Sequence, residues 1–393
     1  MALAAQPLQR PPVVGLVLTG GGARAAYQVG VLTALAEFLP RGRNPFPVIT
    51  GTSAGAVAAS VLAAQAFRWR QAVAGLAEVW SNFRVDQVFE VAPPAMLRAA
   101  AHWTLALLSG GFLLQPPRSL LDNSPLHQLL EGRIDWQGVR TSIDRGHLRG
   151  LALSATCYRT GQSIAFYDGR PEIDDWARIQ RRGVRTHLTL EHLIASAAIP
   201  MLFPPVQLAD SWFGDGAMRQ QSPLSPAIHL GANRLLIIGV RGRREAGVSE
   251  GPLAMPAAGQ ILGFMLDTLF SDQIYSDLEE TERLNQLVAH VPGMPDSLGR
   301  RLSRIETLML TPSEDLRAIA ARHAAAMPSG LRALLRVTGA RNGSSSQLAS
   351  YLMFESPFTR ELMDLGYHDA KQLSGVLRDF IGGVPLPVRQ AGI

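Results

Sequence analysis

The sequence predicts an α/β fold: a mostly parallel central sheet with helices on both faces. Three observations predict it. The chain opens strand, helix, strand, helix, an alternation that packs as parallel strands with covering helices. Two glycine-rich turns, Gly20-Gly21-Gly22-Ala23-Arg24 and Gly51-Thr52-Ser53-Ala54-Gly55, each follow an apolar run and precede a helix. The length of 393 residues, with 47% hydrophobic and 18% charged residues, suffices for a large α/β core and excludes a disordered chain.

Residues 13–19 read as a fully buried strand. Residues 23–39 read as a helix, with Val29, Leu32, Leu35 and Phe38 at helical spacing. Residues 48–51 form a second short strand, 54–67 an alanine-rich buried helix, and 69–83 continue helically. A Pro- and Gly-marked region at 93–117 interrupts the pattern. Inside it, 95–114 comes nearest to a membrane span. It carries Arg98, His102 and the pair Gly110-Gly111, so it reads as an apolar helical hairpin or interfacial element, with a buried core helix as the alternative.

Another helical stretch opens at 119–122. Residues 148–158 and 163–167 alternate and flank Thr160-Gly161, the pattern of a hairpin. A short helix at 190–198 stops at Pro200, and 234–240 is a strongly apolar strand. Residues 257–288 read as helical and 305–310 as the last strand of the sheet. Helices follow from about residue 313, broken at Pro328, Gly343 and Gly366. The expected organisation is an α/β domain over 13–311 and a helical C-terminal extension over 312–393 that caps the core.

Lys371 is the only lysine, so nearly all positive charge is arginine. Coding bias explains this; attraction to anionic membrane surfaces is the functional alternative. The arginines are scattered, and Arg181-Arg182 and the cluster at 241–244 lack interleaved aromatics, so no nucleic-acid partner is expected. The lone Cys157 cannot form an internal disulfide, which fits a reducing compartment. The first twelve residues lack the marks of a secretory signal, and no segment is a clean transmembrane span. The expected location is cytoplasmic, with room for peripheral contact at the inner membrane.

Ser53 sits in G-x-S-x-G, a tight strand-to-helix turn that exposes a nucleophilic hydroxyl. The triple glycine has four readings. As G-x-G-x-x-A it matches a dinucleotide fingerprint, but the next strand ends in Thr50-Gly51-Thr52 without the ribose-binding acid. As a phosphate loop it fails, because no lysine precedes Lys371. As an oxyanion hole it offers Gly21 and Gly22 N–H groups at a helix start, with Arg24 adding charge. A plain βα turn remains the fourth. No histidine is an obvious base, and His187, His192 and His229 suit structural roles. Asp215, in Phe213-Gly214-Asp215-Gly216-Ala217, is the candidate acid that acts on serine directly, although Asp-Gly is by itself a common turn.

With these motifs in order, the chain resembles the patatin-like phospholipase family, bacterial members included. The family combines a GGGxR/KG oxyanion loop, a G-x-S-x-G elbow and a later DGA/G motif; here they are Gly20 to Ala25, Gly51 to Gly55 and Asp215 to Ala217. Ala195-Ser196-Ala197-Ala198-Ile199-Pro200, with Phe203-Pro204-Pro205 after it, resembles the segment before the family's catalytic aspartate. The resemblance covers about residues 13–241. Ala25 replaces the usual glycine, and Met218 to Pro223 lack the asparagine often found before the proline.

The resemblance implies a patatin-like three-layer α/β/α fold and a Ser53–Asp215 dyad. It further implies an oxyanion hole of Gly20, Gly21 and Gly22 with Arg24 nearby, supported by Gly51, Gly55, Gly216 and Ala217. The implied substrate is a lipid or other acyl ester, with no metal and no cofactor. At a free pKa of ~3.9, aspartate is a feeble base towards a hydroxyl, so such a dyad depends on water exclusion. The rival readings are a catalytically idle patatin-fold lipid-binding scaffold and a nicotinamide oxidoreductase. The apolar stretches at 96–114 and 261–270 are the expected acyl-docking elements.

Overall fold

The computed structural model describes residues 12–92, 119–242, 257–291, 302–337 and 346–385 apart from residue 43, with residue 255 and a few single positions between 93 and 118. The expectation for 95–114 falls almost wholly outside the described residues, as does the break at Gly343.

β1 (Val14–Leu18) is buried along its whole length, as an apolar run without alternation requires. It pairs in parallel with β2 (Val48–Thr52) on one side and β9 (Arg234–Ile238) on the other. β3 (Gly150–Cys157) continues in parallel beyond β2, and β10 (Glu306–Leu310) beyond β9. The parallel core therefore runs β10-β9-β1-β2-β3. β4 (Ser163–Gly169) closes the expected antiparallel hairpin with β3. Four further strands were not foreseen. β5 (Trp176–Ala177) and β6 (Arg181–Arg185) extend the sheet past β4, while β7 (Val206–Leu208) and β8 (Ser211–Asp215) form a hairpin against the end of β3.

Period-two alternation sorts the strand side chains onto two cores. Leu16, Ile49, Leu151, Leu236 and Leu308 face one, and Val17, Val48, Ala152, Leu235 and Met309 face the other. The first core carries α1 (Ala26–Phe38), α2 (Ala54–Ala64), α3 (Trp69–Ser81), α4 (Ser124–Leu130), α5 (Trp136–Asp144) and α6 (Leu190–Ser196). The second carries α7 (Ser225–His229). The expected single helix over 257–288 is in fact α8 (Ala258–Asp267), a π-turn (Thr268–Asp272) and α9 (Gln273–His290), and Ile274 of α9 joins the second core. The widened turn is where Phe270 packs over the first glycine-rich loop. The result is a three-layer α/β/α fold with a mostly parallel central sheet, as expected.

The C-terminal helices are α10 (Leu316–Arg322), α11 (Ser329–Val337), α12 (Ser346–Leu352), α13 (Ser356–Gln372) and α14 (Ser374–Gly382). They enter the first core through Leu348, Phe358, Leu362 and Phe380, all fully or almost fully buried. α13 crosses α1 at backbone contact. A Cβ on Gly30 would stand 1.9 Å from the Met363 carbonyl oxygen, and one on Gly366 2.2 Å from that of Tyr27. Arg234 of β9 pairs with Glu306 of β10 at 2.6 Å in a fully buried position. It also donates to the carbonyls of Phe380 and Val384, which pins α14 against the sheet.

Candidate active site

β2 ends at Thr52 and α2 begins at Ala54, which leaves Ser53 on the corner. Its backbone sits at φ 55, ψ −127, a conformation that L-residues avoid and that typically costs 1–3 kcal/mol. The turn closes only because residue 55 is glycine. A Cβ there would lie 2.4 Å from the Leu18 carbonyl oxygen and 2.6 Å from that of Thr19. The Ser53 N–H donates to Ser196 Oγ at 3.1 Å, so the end of α6 steadies the corner. Ser196 lies in a stretch matched by the sequence resemblance, yet its role was not legible there.

Register brings the candidate acid to the serine. Thr52 of β2 partners Ser154 of β3, and Asp215 of β8 partners the next residue, Ala155. Two strand ends thus meet along one edge of β3, with Ser53 and Asp215 at the meeting point. The Asp215 backbone is held on both sides, its N–H donating to Ala198 and its carbonyl accepting from Thr156 Oγ1 at 2.8 Å each. Its Oδ1 accepts from the Ala217 N–H at 2.9 Å. Its Oδ2 has no hydrogen-bond partner within normal bonding distance among the described residues, and the Ser53 hydroxyl lies near the carboxyl. Complete burial pushes the carboxyl up to about 7, although the Ser53 hydroxyl and the Ala217 N–H both favour the charged form. A carboxyl raised this far changes its charge near neutral pH.

The glycine-rich loop lies against this pair. The position a Cβ would take on Gly20 is 3.0 Å from Ser53 Cβ. Gly21 and Gly22 begin a 3-10 turn (Gly22–Ala25) that leads into α1, and the first N–H groups of such a turn have no carbonyl of their own to bond. Ala25 adopts φ −64, ψ −12, an ordinary helical conformation, so its extra methyl is accommodated.

Arg24 points elsewhere. Its guanidinium is buried against Asp267 at 2.9 Å, donates to Ser350 Oγ and the Tyr351 hydroxyl, and lies over the Tyr351 ring. Tyr351 in turn donates to Asp267 Oδ1 and Gln347 to Oδ2. Burial alone would raise the Asp267 carboxyl; the Arg24 charge and these donors hold it below its ordinary value instead. This network ties the loop to the end of α8 and to α12. Asp267→Ala is expected to cost about 3–5 kcal/mol, because it strands a buried guanidinium. Thermal unfolding checks this, and an unchanged Tm would mean the pair does not brace the loop.

A cavity of about 530 Å³ opens from Ser53. Ala54, Val57, Val61 and Gln65 line it as one stripe of α2, the helix that starts at the serine. Leu76, Val79 and Trp80 of α3 face them, followed by Phe83. The stripe from Ala54 to Gln65 is about 16 Å long at 1.5 Å per residue. Tyr351, Leu352 and Phe354, at and just beyond the end of α12, complete the wall beside Gly22. Gln71, Glu78 and Arg133 add polar groups to the lining.

Among the described residues, no group of three or more His, Cys, Asp or Glu side chains is placed to hold a metal, and no helix is long and apolar enough to cross a membrane.

A model of the patatin-like phospholipase family matches residues 16–228. Among solved structures, human GIVD cytosolic phospholipase A2 is similar at 13% identity and a TM-score of 0.45, over 95% of this chain and 60% of that one. VipD from Legionella pneumophila is similar at 14% identity and a TM-score of 0.34, over 90% and 67%. ExoU, in its complex with SpcU from Pseudomonas aeruginosa, is similar at 16% identity and a TM-score of 0.27, over 95% and 75%. The chain thus spans about 60% of the length of the human enzyme. A search of curated protein sequences finds no match.

Proposed function

The chain belongs to the patatin-like phospholipase family, and from that premise we propose that it is a serine lipid acyl hydrolase working through Ser53 and Asp215. Family membership supports hydrolysis of lipid esters. The observation that carries the finer reading is the apolar cavity that begins at Ser53, within the 300–1,000 Å³ usual for ligand sites.

In this mechanism Ser53 Oγ bonds to the ester carbonyl carbon as its proton passes to Asp215 Oδ2. The tetrahedral oxyanion is received by the Gly21 and Gly22 N–H groups, with Gly20 shaping the approach and Arg24 positioning the loop from behind. Collapse breaks the carbon–oxygen bond to the alcohol, which leaves with the proton from Asp215. A water then gives its proton to Asp215 and attacks the acyl-serine, releasing the fatty acid and restoring the hydroxyl. Gly51, Gly55, Gly216 and Ala217 hold the two corners. Residues 13–311 form the catalytic domain in this reading, and the extension at 312–393 contributes the channel wall at Tyr351 to Phe354.

The test is a chain-length series of p-nitrophenyl esters. The wild type is expected to favour long acyl chains. Val61→Trp, which fills the channel, should lower kcat/KM for long esters by about tenfold or more while sparing acetate, since each lost buried methylene is worth about 0.8 kcal/mol. Equal loss for short and long esters would remove the channel from the acyl site.

A further inference from the structure

We infer that the catalytic edge of the sheet docks on an anionic lipid surface, held by an arginine-lined groove beside β6 and by apolar residues that project on either side of the active site. The inference rests on the hydrolase reading only for its biological sense, since a lipid surface is where such a substrate resides.

The groove, of about 450 Å³, is lined by Arg178, Arg181, Arg182 and Arg219, and no carboxylate among the described residues lines it. The bonds these arginines make go to neutral groups: Arg178 to the Ala177 carbonyl, Arg181 to Ser222 Oγ and Arg219 to the Gly161 carbonyl. Arg181 Nε is buried without a hydrogen-bond partner among the described residues. The two most deeply buried arginines of this fold are matched to acids, in Arg24–Asp267 and Arg234–Glu306. Arg181 has the Asp277 carboxylate within electrostatic reach, but Arg178, Arg182 and Arg219 make no ion pair among the described residues, and three such cations around one concavity favour an anionic partner.

Position and apolar surface select a membrane as that partner. Ser163 pairs with Arg181 in parallel, and Thr156 with Ser163 in antiparallel, so the groove lies at the C-terminal end of β3, the edge that carries Ser53. Gln220 lines the groove and also joins it to the site, accepting from Thr52 Oγ1 at 2.8 Å and donating to Ser154 Oγ at 2.7 Å. Ile179 stands 93% exposed in the β5–β6 turn, between Arg178 and Arg181. Across the site, α8 exposes Ile261, Phe264 and Met265, while Phe270 just after it packs on Gly20. Apolar projections interspersed with arginine suit insertion at the headgroup boundary of an anionic bilayer.

The experiment uses full-length protein carrying Ser53→Ala, so that binding is read without turnover. Co-sedimentation is measured with phosphatidylcholine vesicles, with or without a third of phosphatidylglycerol. Binding is expected to the anionic vesicles only and to weaken as salt rises. Arg178→Gln, Arg182→Gln and Arg219→Gln combined should weaken it about a hundredfold, at about 1 kcal/mol per arginine. The same three changes to lysine should retain it, which separates charge from packing and serves if the glutamine variant misfolds. Ile179→Ser and Phe264→Ser should each weaken it about tenfold, the loss of one buried apolar side chain. Equal binding to neutral vesicles, or binding indifferent to the glutamine variant, overturns the inference. Vesicle binding beside a wild type inert on soluble esters would leave docking standing and sink the hydrolase reading instead.

Discussion

Ser53→Ala is expected to abolish ester hydrolysis, with a fall in kcat of roughly 10⁴–10⁶-fold, the range seen when the nucleophile of a serine hydrolase is removed. The residue should still fold. Its N–H bond to Ser196 and the close fit of Gly55 under β1 belong to the backbone and survive the change. The strained φ of 55 is no worse for alanine than for serine. Activity and structure therefore separate: the variant should melt near the wild type and yet neither turn over p-nitrophenyl esters nor take up a fluorophosphonate label. Retained turnover would place the nucleophile elsewhere. A wild type that is itself inert and unlabelled, though folded, would favour the idle lipid-binding scaffold.

The parts of this architecture that were legible from sequence are those in which local chemistry is decisive. β1, β2, β9 and β10 are apolar runs because both sheet faces are covered, and the β3–β4 hairpin alternates around Thr160-Gly161. β6 reads Arg-Arg-Gly-Val-Arg and β8 exposes Trp212, so neither shows the alternation of a half-buried strand. The positions of Ser53 and Asp215 were legible because the strained corner at Ser53 demands small neighbours, and because only glycine at 216 clears the Ser154 carbonyl, so each leaves a motif. Their partners were not. Ser196 meets Ser53 across 143 residues, and Asp267 meets Arg24 across 243. No local pattern encodes such pairs, which is why Arg24 was expected to face the oxyanion and instead braces the loop from behind. The acidity of Asp215 was hidden for a related reason, since only the assembled core shows that it is completely buried.

That burial sets two opposite effects on one atom pair, and Asp215→Asn separates them. The carboxyl titrates at about 7 in the folded chain and near 3.9 when unfolded. Below about 3.9 both states hold the proton and the residue is neutral to stability. Between about 3.9 and 7 the native state keeps a proton that the unfolded chain has released, so stability falls as pH rises. Above 7 the native state must carry a buried charge, and the accumulated penalty is on the order of a few kcal/mol. Asparagine cannot ionise, and its side-chain oxygen can still accept from the Ala217 N–H. Asp215→Asn should therefore match the wild type in Tm at pH 4 and exceed it progressively up to pH 8, while kcat falls by roughly 10⁴-fold or more. In the wild type, kcat/KM should climb with pH and level off above an apparent pKa of about 7, the same ionisation seen through the reaction. Paired melting curves and a pH–rate profile read both. A stability gap that does not widen with pH would mean that Asp215 is not the buried base, whereas a widening gap with full activity would leave it buried but idle. If both effects appear, the strain at Ser53 and the buried charge at Asp215 are two costs of one device: the fold gives up stability to hold an unpartnered base oxygen beside a serine at neutral pH.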